Sequence, residues 1–182
     1  MSYILRNNDD KGLTLPEMQE TAVVLIIAGS ETTATSLCGI TYCMLRHPKV
    51  YQRVVQEIRD LYTNYDDITM VKTGELRYLA AVIEETFRIY PPAPSAFPRV
   101  VPGKGEVIEG TWVPGNTTVG VNPYATNHDA HNWHEPEKFL PERWLPQEMH
   151  AEDDVPAVTF ANDNKQVMQP FSFGPRNCIG KR

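Results

Sequence analysis

Cys178 stands in the run Phe171-Ser172-Phe173-Gly174-Pro175-Arg176-Asn177-Cys178-Ile179-Gly180, a Gly/Pro turn that fences one thiol with two glycines. Every charged neighbour out to Arg182 is positive. A buried thiolate is tolerated only where a metal, backbone N–H groups or positive charge replaces the water around sulfur, and this segment offers the last two. Gly174 and Gly180 lack a Cβ, so the backbone can turn with φ above zero and approach a flat ligand that a larger residue would push away. Arg176 has the planar fork that grips a carboxylate in bidentate fashion. Taken alone, the same run also describes a structural cysteine in a tight turn.

The rest of the chain sets bounds on that turn. Its 182 residues, 41% of them hydrophobic, suffice for one domain or part of one. A net charge of −6, with no basic stripe carrying interleaved aromatics, excludes a nucleic-acid partner. Cys38, Cys43 and Cys178 form no even framework and no C-x-x-C, which suits a reducing compartment. The longest apolar run, Ala22 to Ala28, falls short of the roughly 17 to 25 residues that span a bilayer, so no membrane helix is expected. Met1 to Asp10 lacks the basic start and apolar centre of a secretory leader.

Local patterns then place the elements. Thr14-Leu15-Pro16-Glu17 has capping-box spacing, flanked by Leu13 and Met18 as a hydrophobic staple, and starts a helix that runs to about Leu45. Inside it, Ala28-Gly29-Ser30-Glu31-Thr32-Thr33 combines a glycine, worth about 1 kcal/mol against helix, with hydroxyls that bond back to carbonyls, which predicts a kink or local widening. His47-Pro48 opens a second helix with Val50, Val54, Val55, Ile58, Leu61 and Tyr62 on one face. A third runs from about Glu75 to Tyr90 and stops at Pro91-Pro92. Leu79, Val82, Ile83, Thr86 and Tyr90 share its inner face, which leaves Glu85 and Arg88 opposite as a solvated pair. Phe97 to Pro102 and Val107 to Val121 predict a small antiparallel sheet with its hairpin turn at Pro114-Gly115-Asn116. Leu145 to Gln169 is a long polar loop in which Ala161 to Lys165 are expected at the surface. The fold class is mainly α with a small antiparallel β part.

Four segments, giving three motif resemblances, together resemble the haem-thiolate monooxygenases of the cytochrome P450 family. The Cys178 run fits the family's F-x-x-G-x-R-x-C-x-G at every fixed position. Ala28-Gly29-Ser30-Glu31-Thr32 matches the distal-helix pattern (A/G)-G-x-(D/E)-T. Glu85-x-x-Arg88 and Phe139-Leu140-Pro141-Glu142-Arg143-Trp144 resemble the E-x-x-R and P-E-R-F pair, with Trp in the last place.

The resemblance implies haem b as cofactor, with Cys178 as the proximal metal ligand that pushes electron density onto iron. Arg176 and Arg99 would hold propionates, Phe171, Gly174 and Gly180 would frame the loop, and Ala96 and Phe97 would wall the substrate. Thr32 and Glu31 would relay the protons that an O–O bond needs before it breaks. Glu85, Arg88 and Arg143 would form a buried structural triad that pins the meander leading into the cysteine loop. The implied partners are an NADPH-dependent flavoprotein reductase, O2 and a small lipophilic organic substrate. The wording is most similar to fungal microsomal members that modify secondary metabolites, at the cytosolic face of the endoplasmic reticulum.

The resemblance runs from about Leu13 to Arg182 and covers only the C-terminal portion of a far longer family fold. Residues 1–182 are therefore expected to form one partial domain, truncated at both ends, and a non-catalytic scaffold is the alternative reading for the chain itself. A separate alternative is a non-haem metal protein using His128, His131 and His134, three imidazoles at i, i+3 and i+6. Its setting, Asn127, Asp129, Asn132 and Trp133, reads as an exposed irregular loop without the further ligands a zinc site needs.

Overall fold

Thr14 caps the first helix, α1 (Leu15–Arg46), in a computed structural model that describes residues 12–151 and 154–181. The leader reading of Met1 to Asp10 and the charge of Arg182 lie outside the described residues. Thr14 Oγ1 accepts from the Glu17 N–H (3.5 Å) and Glu17 accepts from the Thr14 N–H (2.8 Å), the reciprocal exchange of a capping box. Hydrogen bonds from the Thr14 side chain and then its backbone hold the Glu17 carboxyl below its ordinary range.

The expected interruption of α1 does not occur: it is continuous α-helix across Ala28 to Thr33. Ser30, Thr32 and Ser36 donate to the carbonyls of Ile26, Ala28 and Thr32, at 2.7, 2.6 and 2.7 Å, so these hydroxyls add to the helical ladder and leave it intact. Val23 to Ile27 lie more than half exposed. The helix also meets the length and composition of a membrane span, contrary to the expectation from its longest apolar run. The reason is that Ala, Gly, Ser and Thr break the run without lowering the mean hydropathy far; a core helix of a large fold meets the same test.

Apart from Met18 in its first turn, α1 is buried in its C-terminal half, at Gly39 and Cys43. A Cβ on Gly39 would lie 2.9 Å from Tyr90 Cδ1 and 3.2 Å from Thr86 Cγ2, so glycine sets how closely the two helices approach. Helix α2 (Pro48–Leu61) buries Val50 and Val54, and a four-residue α3 (Met70–Thr73) leads to α4 (Arg77–Ile89). The first turn of α4 is capped from α2: Glu57 accepts from the N–H groups of Tyr78 (2.7 Å) and Leu79 (2.9 Å). Cys43, Val54, Tyr78, Val82, Phe139 and Leu145 centre the core. Tyr90, expected on the inner face, is 52% exposed.

The β part consists of two antiparallel ribbons, β2 (Glu106–Ile108) with β3 (Thr111–Val113), and β1 (Arg99–Val100) with β4 (Thr118–Val119). The hairpin turn is Glu109-Gly110, both with positive φ (46° and 75°), in place of the expected Pro114-Gly115-Asn116. Two consecutive positive-φ residues make the type I′ turn whose twist suits a tight hairpin. Pro114 to Asn116 instead carries β3 into β4, and Asn116 (φ 64°) donates its N–H to the Val101 carbonyl at 2.9 Å.

A short helix, α5 (Pro123–Asn127), leads into coil that folds back on α4. The region expected as one long loop is organised by 3-10 turns at Gln147–Met149, Ala157–Phe160 and Lys165–Val167, and it buries Phe160 and Met168.

Candidate functional site: a charge-balanced clamp behind a cysteine loop

The expectation that Glu85 and Arg88 face water fails, because both are fully buried where the 3-10 turn Pro141–Trp144 lies across α4. Periodicity places them opposite the apolar face, but the coil covers that side as well. Arg88 Nε and Nη2 donate to the two Glu85 oxygens at 3.0 and 2.8 Å, and its remaining donors reach the carbonyls of Asn127 (2.8 Å), Pro136 (2.6 Å) and Lys138 (2.9 Å). Arg143 Nε lies 3.1 Å from both Glu85 oxygens. The carboxylate also accepts from the Leu140 N–H and Trp144 Nε1, each at 2.9 Å.

Two guanidiniums around one carboxylate would leave a buried positive charge, which is costly. Asp163 supplies the missing negative charge: it pairs with Arg143 Nη1 and accepts from the His134 N–H at 2.7 Å. Its side chain is 1% exposed, which corrects the surface position expected for Asp163, whereas Ala161, Asn162, Asn164 and Lys165 are exposed as expected. Trp133, also expected in an exposed loop, is 2% exposed and packs against both guanidiniums, its ring centroid 5.3 Å from Arg88 Cζ and 5.6 Å from Arg143 Cζ. Asn127 of that loop is 3% exposed. Charge arithmetic was the one sequence cue to Asp163; nothing local marked Trp133 or the Glu57 cap.

A second cluster braces the same coil. Arg53 on α2 donates to Asp154 at 2.7 Å and to the Met149 carbonyl, while its guanidinium carbon stands 4.0 Å above the Tyr78 ring. The Tyr78 hydroxyl donates to Glu142 at 3.0 Å. Burial first, then the charge of Glu142, pushes the Tyr78 phenol well up from its ordinary value.

Beyond the coil lies the cysteine loop. Phe171 packs edge-on against Phe87 of α4, with centroids 6.0 Å apart, and its carbonyl accepts the Cys178 N–H at 2.8 Å. Ser172 (φ 59°) and Gly174 (φ 79°) turn the backbone, and the Asn177 N–H closes the turn on the Gly174 carbonyl at 3.0 Å. Open space surrounds a Cβ built on Gly174; one built on Gly180 would contact the Cys178 Sγ at 3.6 Å. The thiol is exposed, not buried as the sequence reading assumed, and Arg176, Phe173 and Ile179 are exposed with it. Arg99, on β1, is exposed too, and its guanidinium donates to the Pro98 carbonyl at 3.5 Å.

On α1, Thr32 Oγ1 donates to the Ala28 carbonyl and Glu31 is exposed. The three histidines are dispersed. His128 Nδ1 lies 2.9 Å from the Tyr124 carbonyl and its ring stacks on Tyr124 at 4.1 Å, His131 pairs with Asp129, and His134 lies beside Glu135. Among the described residues no three His, Cys, Asp or Glu side chains gather as a metal site.

An exposed thiol, flanked by an exposed guanidinium and apolar side chains on a backbone with no Cβ at Gly174 and Gly180, is a donor set suited to a flat, apolar, anionic metal complex. Comparison with known proteins agrees with this chemistry. A family model described as Cytochrome P450 matches residues 1–182. Cytochrome P450 monooxygenase astJ of Aspergillus oryzae is 44% identical over 181 residues, which cover 100% of this chain and 35% of that protein. Cytochrome P450 monooxygenase astA of Talaromyces wortmannii is 43% identical over 182 residues, covering 100% and 35%. Cytochrome P450 monooxygenase aba2 of Botryotinia fuckeliana is 44% identical over 180 residues, covering 98% and 32%. The chain spans about a third of the length of the curated relatives it matches. With its whole length matched and its relatives above 40% identity, the chain belongs to the cytochrome P450 family.

Proposed function

We propose that the chain carries the thiolate-ligand and proton-delivery segments of a haem-dependent monooxygenase. Haem b, when bound, would supply an iron centre at which O2 is reduced and one oxygen atom passes to an organic substrate while the other leaves as water. Cys178 would hold the metal. Phe171, Gly174 and Gly180 would keep the loop close to the ring, and Arg176 and Arg99, both without an ion pair among the described residues, would take the propionates.

Thr32 holds a proton on Oγ1 and keeps lone pairs free to receive another, so turning that hydroxyl away from the Ala28 carbonyl would pass a proton along the helix face. Glu31, exposed one residue earlier, would bring protons from solvent. Glu85, Arg88, Arg143 and Asp163 would fix the coil that leads into the loop, a positioning role. Electrons would come from an NADPH-dependent flavoprotein reductase, the substrate would be a small lipophilic molecule, and the setting would be the cytosolic face of the endoplasmic reticulum.

The presentation of Cys178 carries this reading: an exposed thiol whose own N–H is anchored to the Phe171 carbonyl, within a chain matched throughout by the family. The test is to mix the chain with haemin, reduce it and add carbon monoxide. A strongly red-shifted Soret band, absent in Cys178→Ser, is expected; an imidazole-type spectrum, or no binding, overturns the assignment.

A further inference from the structure

We propose that one ordered water is built into the joint between the end of α4, α5 and the coil entering the cysteine loop, held by the side-chain amide of Asn127. Asn127 is 3% exposed, and its Nδ2 donates to the Phe87 carbonyl at 3.5 Å while its Oδ1, also buried, accepts no hydrogen bond among the described residues. Exchanging the two ends of the amide does not remove the deficit. The end that faces a carbonyl has to be the donor, so the oxygen is the atom left over. Buried oxygens of this kind are nearly always satisfied, and where protein provides no donor an internal water does.

The space for it is present. Asn127 lines a cavity of about 20 Å3 together with Phe87, Pro91, Phe97, Gln169 and Pro170. One water needs about 10–15 Å3 of such volume, so the cavity takes one molecule and no larger ligand. Its proline walls bring no N–H groups, only carbonyls, and no donor for Asn127 can come from them. A water meets the need, giving one hydrogen to Oδ1 and the other to a carbonyl.

Position gives the water its consequence. The Asn127 carbonyl already accepts from Arg88 at 2.8 Å, and Pro170 directly precedes Phe171 of the cysteine loop. The hydrated joint therefore couples the buried clamp to the start of the loop, and this holds whether or not the loop takes haem.

The test is water–protein NOE and ROE spectroscopy on the isotopically labelled full chain. Cross-peaks with the sign of a long-lived water are expected at the ring protons of Phe87 and Phe97 and at the Asn127 side-chain amide. The ring protons do not exchange and no hydroxyl lines the cavity, so these peaks cannot be relayed from an exchanging group. Asn127→Leu, of similar volume but without the acceptor, is expected to lose them while leaving Arg88 its backbone carbonyl; Asn127→Asp, which retains an acceptor, is expected to keep them. A parent chain without the cross-peaks overturns the proposal. Peaks unchanged in the Leu variant overturn the role of Asn127, and should that variant not fold, loss of the peaks in Asn127→Asp does the same.

Discussion

Arg88→Ala removes the hub of the clamp, and its effect follows from the partners left behind. The guanidinium is fully buried and makes five hydrogen bonds, two to Glu85 and one each to the carbonyls of Asn127, Pro136 and Lys138. Truncation leaves three carbonyls without a charged donor, at about 1–3 kcal/mol for each that stays dry. Glu85 is not wholly abandoned, since Arg143, the Leu140 N–H and Trp144 still reach it. These opposing considerations place the loss at about 3–5 kcal/mol, the usual range when one partner of a buried ion pair is deleted. For a urea dependence near 2 kcal/mol/M, the unfolding midpoint should fall by roughly 1.5–2.5 M. Arg88→Lys keeps the charge but not the fork and should fall between. Arg99→Ala, at an exposed position, should stay within about 0.5 kcal/mol of the parent. An Arg88→Ala midpoint within about 0.3 M of the parent would refute the energetic reasoning. A variant that loads haem like the parent would refute the positioning role.

Cys178→Ser should abolish the red-shifted carbon-monoxide band yet leave urea unfolding within about 0.5 kcal/mol of the parent, because the thiol is exposed; a large stability loss would mean that the sulfur packs. Glu57→Ala uncaps the first turn of α4 and should cost about 1–2 kcal/mol, read by the same unfolding curves, with no loss if water replaces the carboxylate without penalty. Glu84 is pushed up from its ordinary 4.5 by burial, with Lys181 pulling the other way. The folded state therefore prefers the protonated form. No penalty exists below 4.5, where folded and unfolded chains are both protonated, and it grows as pH rises through the folded value. Glu84→Gln should accordingly raise Tm at neutral pH and leave it unchanged in acid; equal Tm values at neutral pH would contradict the burial cause.

Local chemistry was readable wherever it acts between near neighbours. The Thr14–Glu17 box, the proline stop after α4 and the valine face of α2 are all within a few residues in sequence. The turn at Glu109-Gly110 was missed because a glutamate at positive φ is not a turn signal, whereas Pro-Gly-Asn is. The unbroken course of α1 was missed because hydroxyls that bond four residues back can either bend a helix or simply decorate it. The clamp shows the main limit of periodicity. A helical wheel sees Glu85 and Arg88 on a polar side, and only the return of Arg143, 58 residues later, with Asp163 20 residues beyond that, makes the polar side an interior. Motif resemblance carried that information where spacing could not, but it named three of the four charges.

Trp133 gives the molecule a built-in optical gauge of its own assembly. The indole is nearly sealed from solvent, its Nε1 donates to the Thr126 carbonyl at 3.0 Å, and two cationic side chains pack against its ring. Parting of those side chains would admit solvent to an excited state that water stabilises, moving the emission to longer wavelength. Trp112, 60% exposed on its ribbon, is already hydrated and would contribute a nearly constant background. The colour of the light emitted by Trp133, and by Trp144 whose ring lies 5.7 Å away and donates to Glu85, thus follows the junction that seats the coil.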